Sequence, residues 1–204
     1  MKMKKTLKWI ADFLNIDLLS EEKDQYFEVE RIKEEFSQEL PEELRVYIQY
    51  VAPLNDFYFD TVGNPMRLYS IQNLKKMQDG YNYNTVQQKP IEGWPENYFI
   101  IADEGGDPVV IDLESGTTKM KQLIHGLESW AYGTTIASSI EQFLLCNSAL
   151  HYTLNEFEEE VVIDDENGFC LAPKAAEWYF KNMKVWAGSY YEQWCTIFDN
   201  CYTP

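Results

Sequence analysis

The apolar positions of this chain begin in a helical rhythm. Leu7, Ile10, Ala11, Leu14 and Leu18 recur at the spacing of one helix face, which predicts an amphipathic helix with a basic beginning. A second helix is expected over residues 22–36, with Val29, Ile32 and Phe36 in phase. In "LPEELRVYIQYV", Pro41 suits a first helical turn, where its missing N–H would have had no partner. Leu44, Tyr47, Ile48 and Val51 then form a core-facing stripe that Pro53 ends. Beyond it the runs shorten. "DFYFD" and "MRLYS" read as two strands around a Gly63-Asn64-Pro65 turn. A short helix near 71–78 follows, and then a polar loop, "DGYNYNTVQQKPIEGWPEN". That loop is long for a compact domain, and loops of such length are often functional.

Three strands are expected next, over 97–102, 108–113 and 117–124, the first two facing each other across "DEGGD". A loop containing Trp130 leads to "TTIASSIEQFLLC". There Ser138 and Glu141 have capping-box spacing, and Ile140, Phe143 and Leu144 mark the buried face of a helix. After His151 the pattern predicts a strand at 160–163 and a turn at Asn167-Gly168. Two closing helices follow. One starts at Pro173 with Ala176, Tyr179, Phe180 and Met183 in phase. The other starts after Gly188 with a Ser189/Glu192 capping box and carries Tyr191, Trp194, Cys195 and Phe198. Each has an apolar stripe, so both are expected to pack on the rest rather than trail as a tail. No internal repeat is visible.

Length and composition fit one globular domain over 1–204: the chain has 204 residues, of which 45% are hydrophobic. Charge changes the picture more. Thirty-four acids face 17 Lys and Arg, a net −17, which disfavours nucleic acid and anionic membrane and attracts basic partners. The acids are clustered: between Lys89 and Lys119 there are seven and no base. The four cysteines include no Cys-x-x-Cys pair and, with two histidines, no zinc spacing, so reduced thiols in a cytoplasmic protein are expected. Lys8 and Asp12 interrupt the apolar start, so it does not read as a signal peptide. No stretch suits a membrane span.

Catalytic signals are absent from the motifs. The chain has no phosphate-binding glycine loop, no nucleophile elbow and no His-Glu-x-x-His. His125, between a strand and Gly126, reads as a hydrogen-bonding residue. "IDDENGFCLAPK" places Ile163 and Lys174 where a calcium loop needs carboxylates. Metal and cofactor are therefore not expected. A two-carboxylate hydrolase remains a distant third reading, since such pairs are assembled by the fold.

In order along the chain stand Leu40-Pro41, Ile101-Ala102, Gly106-Asp107-Pro108, Ile111-Asp112, His125-Gly126, Trp130, Ile136-Ala137 and Phe143-Leu144. This series resembles the SUKH superfamily, which includes the Smi/Knr-type regulators, over about residues 22–150. The resemblance implies an α+β fold, a twisted and mostly antiparallel sheet flanked by helices. Residues 151–204 would add a C-terminal strand and two-helix extension. It also implies a binding protein. Many bacterial members look like immunity proteins that neutralise toxin domains, often nucleases, and others are interaction modules. The leading expectation is thus a monomeric immunity protein whose partner is a cognate toxin with a basic nuclease domain. The alternative is a general interaction or regulatory module without a toxin.

The acidic turn has two readings. Gly105 and Gly106 supply the positive φ of a tight turn, and acids fit turns without further function. The second reading makes Asp103, Glu104 and Asp107 part of a partner-binding face with Glu96 and the aromatics Tyr81, Tyr83 and Trp94, because aromatics anchor interfaces while charges steer.

Overall fold

A computed structural model describes residues 2–18, 26–36, 39–76, 78, 80–127, 129–157, 160–166 and 168–202. In chain order its elements are α1 (Lys2–Leu14), α2 (Tyr26–Phe36), α3 (Glu42–Tyr50), β1 (Phe57–Phe59), β2 (Met66–Leu68), α4 (Asn73–Lys76), β3 (Tyr83–Asn84), β4 (Lys89–Pro90), β5 (Tyr98–Glu104), β6 (Asp107–Asp112), β7 (Met120–Leu123), β8 (Gly133–Ala137), α5 (Ile140–Asn155), β9 (Val162–Asp165), β10 (Gly168–Leu171), α6 (Pro173–Trp186) and α7 (Tyr191–Cys195). Six strands form one antiparallel sheet in the order β1-β2-β5-β6-β7-β8, with helices packed around it. The fold is α+β, as expected.

The sheet is built on the β5–β6 hairpin. Two glycines make its turn, closed by the Glu104–Asp107 pair. Both have positive φ, +61° and +98°, which matches the right-handed twist of the strands they join. A side chain at Gly105 would also collide with the Asn64 amide from the β1–β2 turn. β5 carries a bulge between Ile100 and Ala102, and residues 98–102 are buried throughout. A strand covered on both faces reads as a continuous apolar run rather than an alternating one. β2 pairs with β5 only from Ala102 to Glu104. Where β2 leaves, the buried Gln78 side chain takes its place: its amide donates to the Ile100 carbonyl at 2.8 Å and accepts from the Ile100 N–H at 3.0 Å. Both backbone groups of Ile100 are thereby satisfied beside the bulge.

α5 is the helix on which the others assemble; α1, α3, α6, β1 and β8 all touch it. It is apolar nearly all round, with Asn147, Ser148 and Thr153 also buried, as befits a central helix. Its cap differs from the expected pair by one residue. Ser139 Oγ accepts from the Gln142 N–H at 3.1 Å, while Gln142 Oε1 accepts from the Ser138 N–H at 2.8 Å. Glu141 instead receives Thr6 Oγ, and its own N–H donates to Glu43 of α3. Adjacent serines allowed either register, and the side chains packed around the helix start selected one.

Other departures follow the same pattern of long-range choice. β8 was not expected from "GTTIA", because as an edge strand it is half-exposed and its register slips by one residue at Ile136. The long polar loop holds a two-residue hairpin, β3–β4. The strand expected at 160–163 begins two residues later and pairs with β10; Asn167 lies outside the described residues. So do residues 22–25 of the expected second helix, and the Phe36 side chain. Pro41 stands just before α3 rather than inside its first turn. The last helix begins with a 3₁₀ turn, Gly188–Tyr190, and its first turn has no side-chain cap, so the Ser189/Glu192 box does not form.

The C-terminal segment lies against α5 and β8. Trp194 Nε1 donates to the carbonyl of bulged Ile136 at 2.7 Å, and Tyr179 Oη donates to the Trp194 carbonyl at 3.0 Å. Gln142 Nε2 donates to the last carbonyls of the α6 end, Trp186 at 2.7 Å and Ala187 at 3.1 Å. An edge strand with unpaired backbone groups invites aggregation, and this segment covers it. At the other edge, Asp56 joins β1, β2 and α4. Its carboxylate accepts from Arg67, from the Ser70 N–H at 2.8 Å and from Asn73. Burial alone would raise its pKa, but these hydrogen bonds outweigh burial and hold the carboxyl at about 2.

Trp194→Phe keeps the ring and removes the donor to Ile136; it should lower stability by about 1–2 kcal/mol in urea unfolding, leaving a buried carbonyl unpaired. Asp56, whose pKa is depressed on folding, should contribute fully above its ordinary 3.8 and lose that contribution as pH falls toward about 2. Asp56→Asn should flatten the acid limb of a stability-versus-pH curve across that window.

Candidate functional site

Three segments meet at the turn end of the β5–β6 hairpin. Gln78, held at Ile100, also accepts through its carbonyl from the Asn82 N–H at 3.0 Å, and this turn delivers Tyr81. The Tyr81 hydroxyl donates to the Gly106 carbonyl at 2.9 Å. Its ring packs on Trp94 at 5.4 Å and Trp130 at 5.9 Å between centroids, and Trp94 and Trp130 lie 5.1 Å apart. Tyr98 closes the cluster against Trp94 at 6.0 Å. The aromatic group ties the 78–97 loop, the hairpin and the 124–132 loop into one piece.

The three hairpin carboxylates are half-buried and each is held. Asp103 accepts from the Tyr69 hydroxyl. Glu104 accepts from Gln122 Nε2 at 2.9 Å and from Thr61 Oγ at 3.2 Å. Asp107 Oδ1 accepts from the His125 backbone N–H at 2.8 Å and lies 2.5 Å from His125 Nδ1. Among the described residues, hydroxyl, amide and imidazole groups hold these carboxylates, not Lys or Arg. Arg67, which stands opposite Asp103 in the β2–β5 register, turns to Asp56 instead. The carboxylates are therefore fixed in position with no Lys or Arg among the described residues paired to them. Their field reaches the phenols: burial first, then the Asp103 and Asp107 charges, push Tyr81 up to about 12. Burial and the Asp103 hydrogen bond drive Tyr69 higher still.

The face expected from sequence is only partly an outer face. Tyr83 and Glu96 are exposed, as expected of contact residues, and Tyr81 is half-buried. Trp94 is not exposed: at 7% it sits inside the aromatic cluster, with no hydrogen-bond partner for its Nε1 among the described residues. It organises the site rather than presenting itself. Sequence reading missed Tyr69, Gln78 and Trp130 as organisers. An isolated Gln at the start of a polar loop leaves no local pattern to read, whereas the recurrence of Trp and Tyr in two flanking loops was a signal for a shared cluster.

No other part of the described structure gathers a comparable set of chemistry. A depression of about 550 Å³ lies at the start of α5 and is lined by Glu42, Glu43, Glu141, Ser139 and Thr118 among others. Two of its carboxylates already serve the fold: Glu43 accepts from the Glu141 N–H at 2.9 Å and from the Thr118 hydroxyl, and Glu141 accepts from Thr6. Among the described residues no group of three or more His, Cys, Asp or Glu could hold a metal ion. No disulfide joins the four cysteines; burial raises the pKa of the Cys146 thiol strongly and pushes that of Cys195 up to about 12, so both are protonated at neutral pH. No described helix is long and apolar enough to cross a membrane.

Compared with known proteins, residues 27–146 match the model of the SMI1 / KNR4 family (SUKH-1). No curated protein matches the chain. The matched segment covers more than half of the chain and contains the whole six-stranded sheet and the hairpin site. α1 and the segment from β9 onward lie outside it.

Gln78→Leu should loosen the site from its base. Removing the amide leaves the Ile100 N–H and carbonyl unpaired in the core and should cost about 2–4 kcal/mol, with Trp fluorescence shifting to the red as the Tyr81–Trp94–Trp130 cluster opens. Wild-type stability and spectrum in this variant would show that Gln78 is not what seats the loop.

Proposed function

The chain belongs to the SMI1/KNR4 family (SUKH-1), and from that premise we propose that it is a protein-binding protein of the immunity type, which docks a cationic toxin domain against the acidic end of its sheet. The observation that carries this reading is the set of fixed carboxylates at Asp103, Glu104 and Asp107, none of which is paired with a Lys or Arg among the described residues. Glu96 stands exposed two residues beyond Trp94. A nuclease domain binds phosphate through Lys and Arg, and a rigid acidic surface is complementary to such a cleft. Preset carboxylates need little reordering on binding, and a field of one sign accelerates encounter. The chain's net −17 favours the same class of partner. On this reading the protein acts in the cytoplasm, where it neutralises a toxin delivered between competing cells by occupying it. It performs no chemistry of its own.

Binding kinetics test the proposal, with the full chain against the purified toxic domain encoded by the neighbouring gene. Asp103→Asn, Glu104→Gln and Asp107→Asn, combined, keep the hydrogen-bond acceptors and remove the charge. The association rate at low ionic strength should fall on the order of tenfold, and its salt dependence should flatten. An unchanged rate in a folded variant would leave the hairpin as a turn, and wild-type protein that neither binds nor protects cells from that domain would end the immunity reading.

A further inference from the structure

The acidic end explains steering but is poor in anchors, because Trp94 is buried and Tyr81 is bound to Gly106, which leaves Tyr83 as its exposed aromatic. We infer that the loop joining β7 to β8 carries the apolar anchors of this surface, through Ile124, Leu127 and Tyr132. The inference rests on the preceding reading that this end of the sheet docks a cationic protein. The three side chains are 49%, 49% and 60% exposed. Ile124 and Tyr132 directly follow and precede the Leu123–Gly133 pair, so they face each other across the mouth of the loop, with Leu127 between them in sequence.

Their exposure is not that of a slack loop. His125 is tied to Asp107 through its backbone N–H and its ring. Lys121 Nζ donates to the Ala131 carbonyl at 2.8 Å, and the Tyr132 N–H donates to the Ser129 carbonyl at 3.1 Å. Trp130 is locked against Trp94 and Tyr81. Among the described residues these attachments turn polar groups and Trp130 inward and leave Ile124, Leu127 and Tyr132 outward. Large apolar groups on a pre-ordered loop lose little freedom on binding, and aromatic and aliphatic anchors of this kind hold complexes together.

The occupant follows from the charges around these anchors. Asp107 touches the loop itself at His125, with Glu104 and Asp103 behind it on the same hairpin. Lys121, the base at the root of the loop, is engaged with the Ala131 carbonyl and the Tyr98 hydroxyl. An apolar knob beside fixed carboxylates fits a protein surface that has an apolar recess rimmed by Lys or Arg. It does not fit an anionic membrane, or a second copy of a chain with net −17.

The two contributions separate kinetically, since charges act on association and desolvated anchors on dissociation. The full chain bearing Tyr132→Ala and Leu127→Ser would be measured against the same neighbouring-gene toxic domain, alongside the charge-neutral hairpin variant. The dissociation rate should rise by on the order of ten- to a hundredfold, with the association rate and its salt slope within about twofold of wild type. Both positions are solvent-facing, so thermal unfolding should be unchanged, which separates lost contact from lost fold. A dissociation rate equal to wild type would overturn the inference while leaving the steering role of the hairpin standing. Wild-type protein that fails to bind the domain at all removes the premise and the inference with it. A dimer in sedimentation that Tyr132→Ala dissociates would reassign the loop to self-association and overturn the inference.

Discussion

The Gln78 amide is the contact on which the organisation of the site depends. β5 is buried on both faces and bulged, and a bulge beside the point where a partner strand ends leaves backbone groups with no ladder to join. Gln78 answers both needs of Ile100. In doing so it fixes the start of the loop that returns through Tyr81 to the hairpin turn and through Trp94 to the next loop. One side chain thus couples the interior of the sheet to the turn end of the hairpin. A buried amide suits this position because it offers a donor and an acceptor in one plane, as a neighbouring strand would.

Charge in this molecule is arranged rather than merely abundant. Lys2, Lys4, Lys5 and Lys8 gather on α1, where Lys4 lies over the Tyr50 ring at 4.1 Å and Lys2 approaches Glu141 at 3.8 Å. The hairpin end is negative and is held by hydroxyl, amide and imidazole groups. Such polarity favours one approach direction for a cationic partner, whereas an evenly spread −17 would favour none. It also means that half-buried acids can still present charge: hydrogen bonds set the positions of the carboxylates without a Lys or Arg partner among the described residues.

The segments outside the family match have a structural role that the sheet alone does not fill. β8 is an edge strand with a slipped register, and Trp194 reaches its Ile136 carbonyl from the far end of the chain. α1 packs Met3, Leu7, Ile10 and Leu14 into the same buried cluster that continues to Cys201. The extension therefore lies over the sheet edge remote in chain order from the β1–β2 side, and leaves the turn end of the hairpin open.

Where a residue's neighbours are near in sequence, the chain declared its structure. The stripe of α1, the Pro41–Pro53 limits of α3, the two glycines of the β5–β6 turn and the α+β architecture were all legible, because helix period, proline geometry and positive φ are local properties. The acidity of the hairpin was legible too, as was the family resemblance carried by the ordered motifs. The burial of Trp94, the choice of Ser139 over Ser138 as the α5 cap, the existence of β8 and the seat of Gln78 were not. Each is decided by atoms many positions away: Trp130 against Trp94, Glu43 against Glu141, Trp194 against Ile136, Ile100 against Gln78. Sequence determined which groups were available, and only the tertiary packing decided which of them face inward to hold the hairpin end and which face outward to solvent.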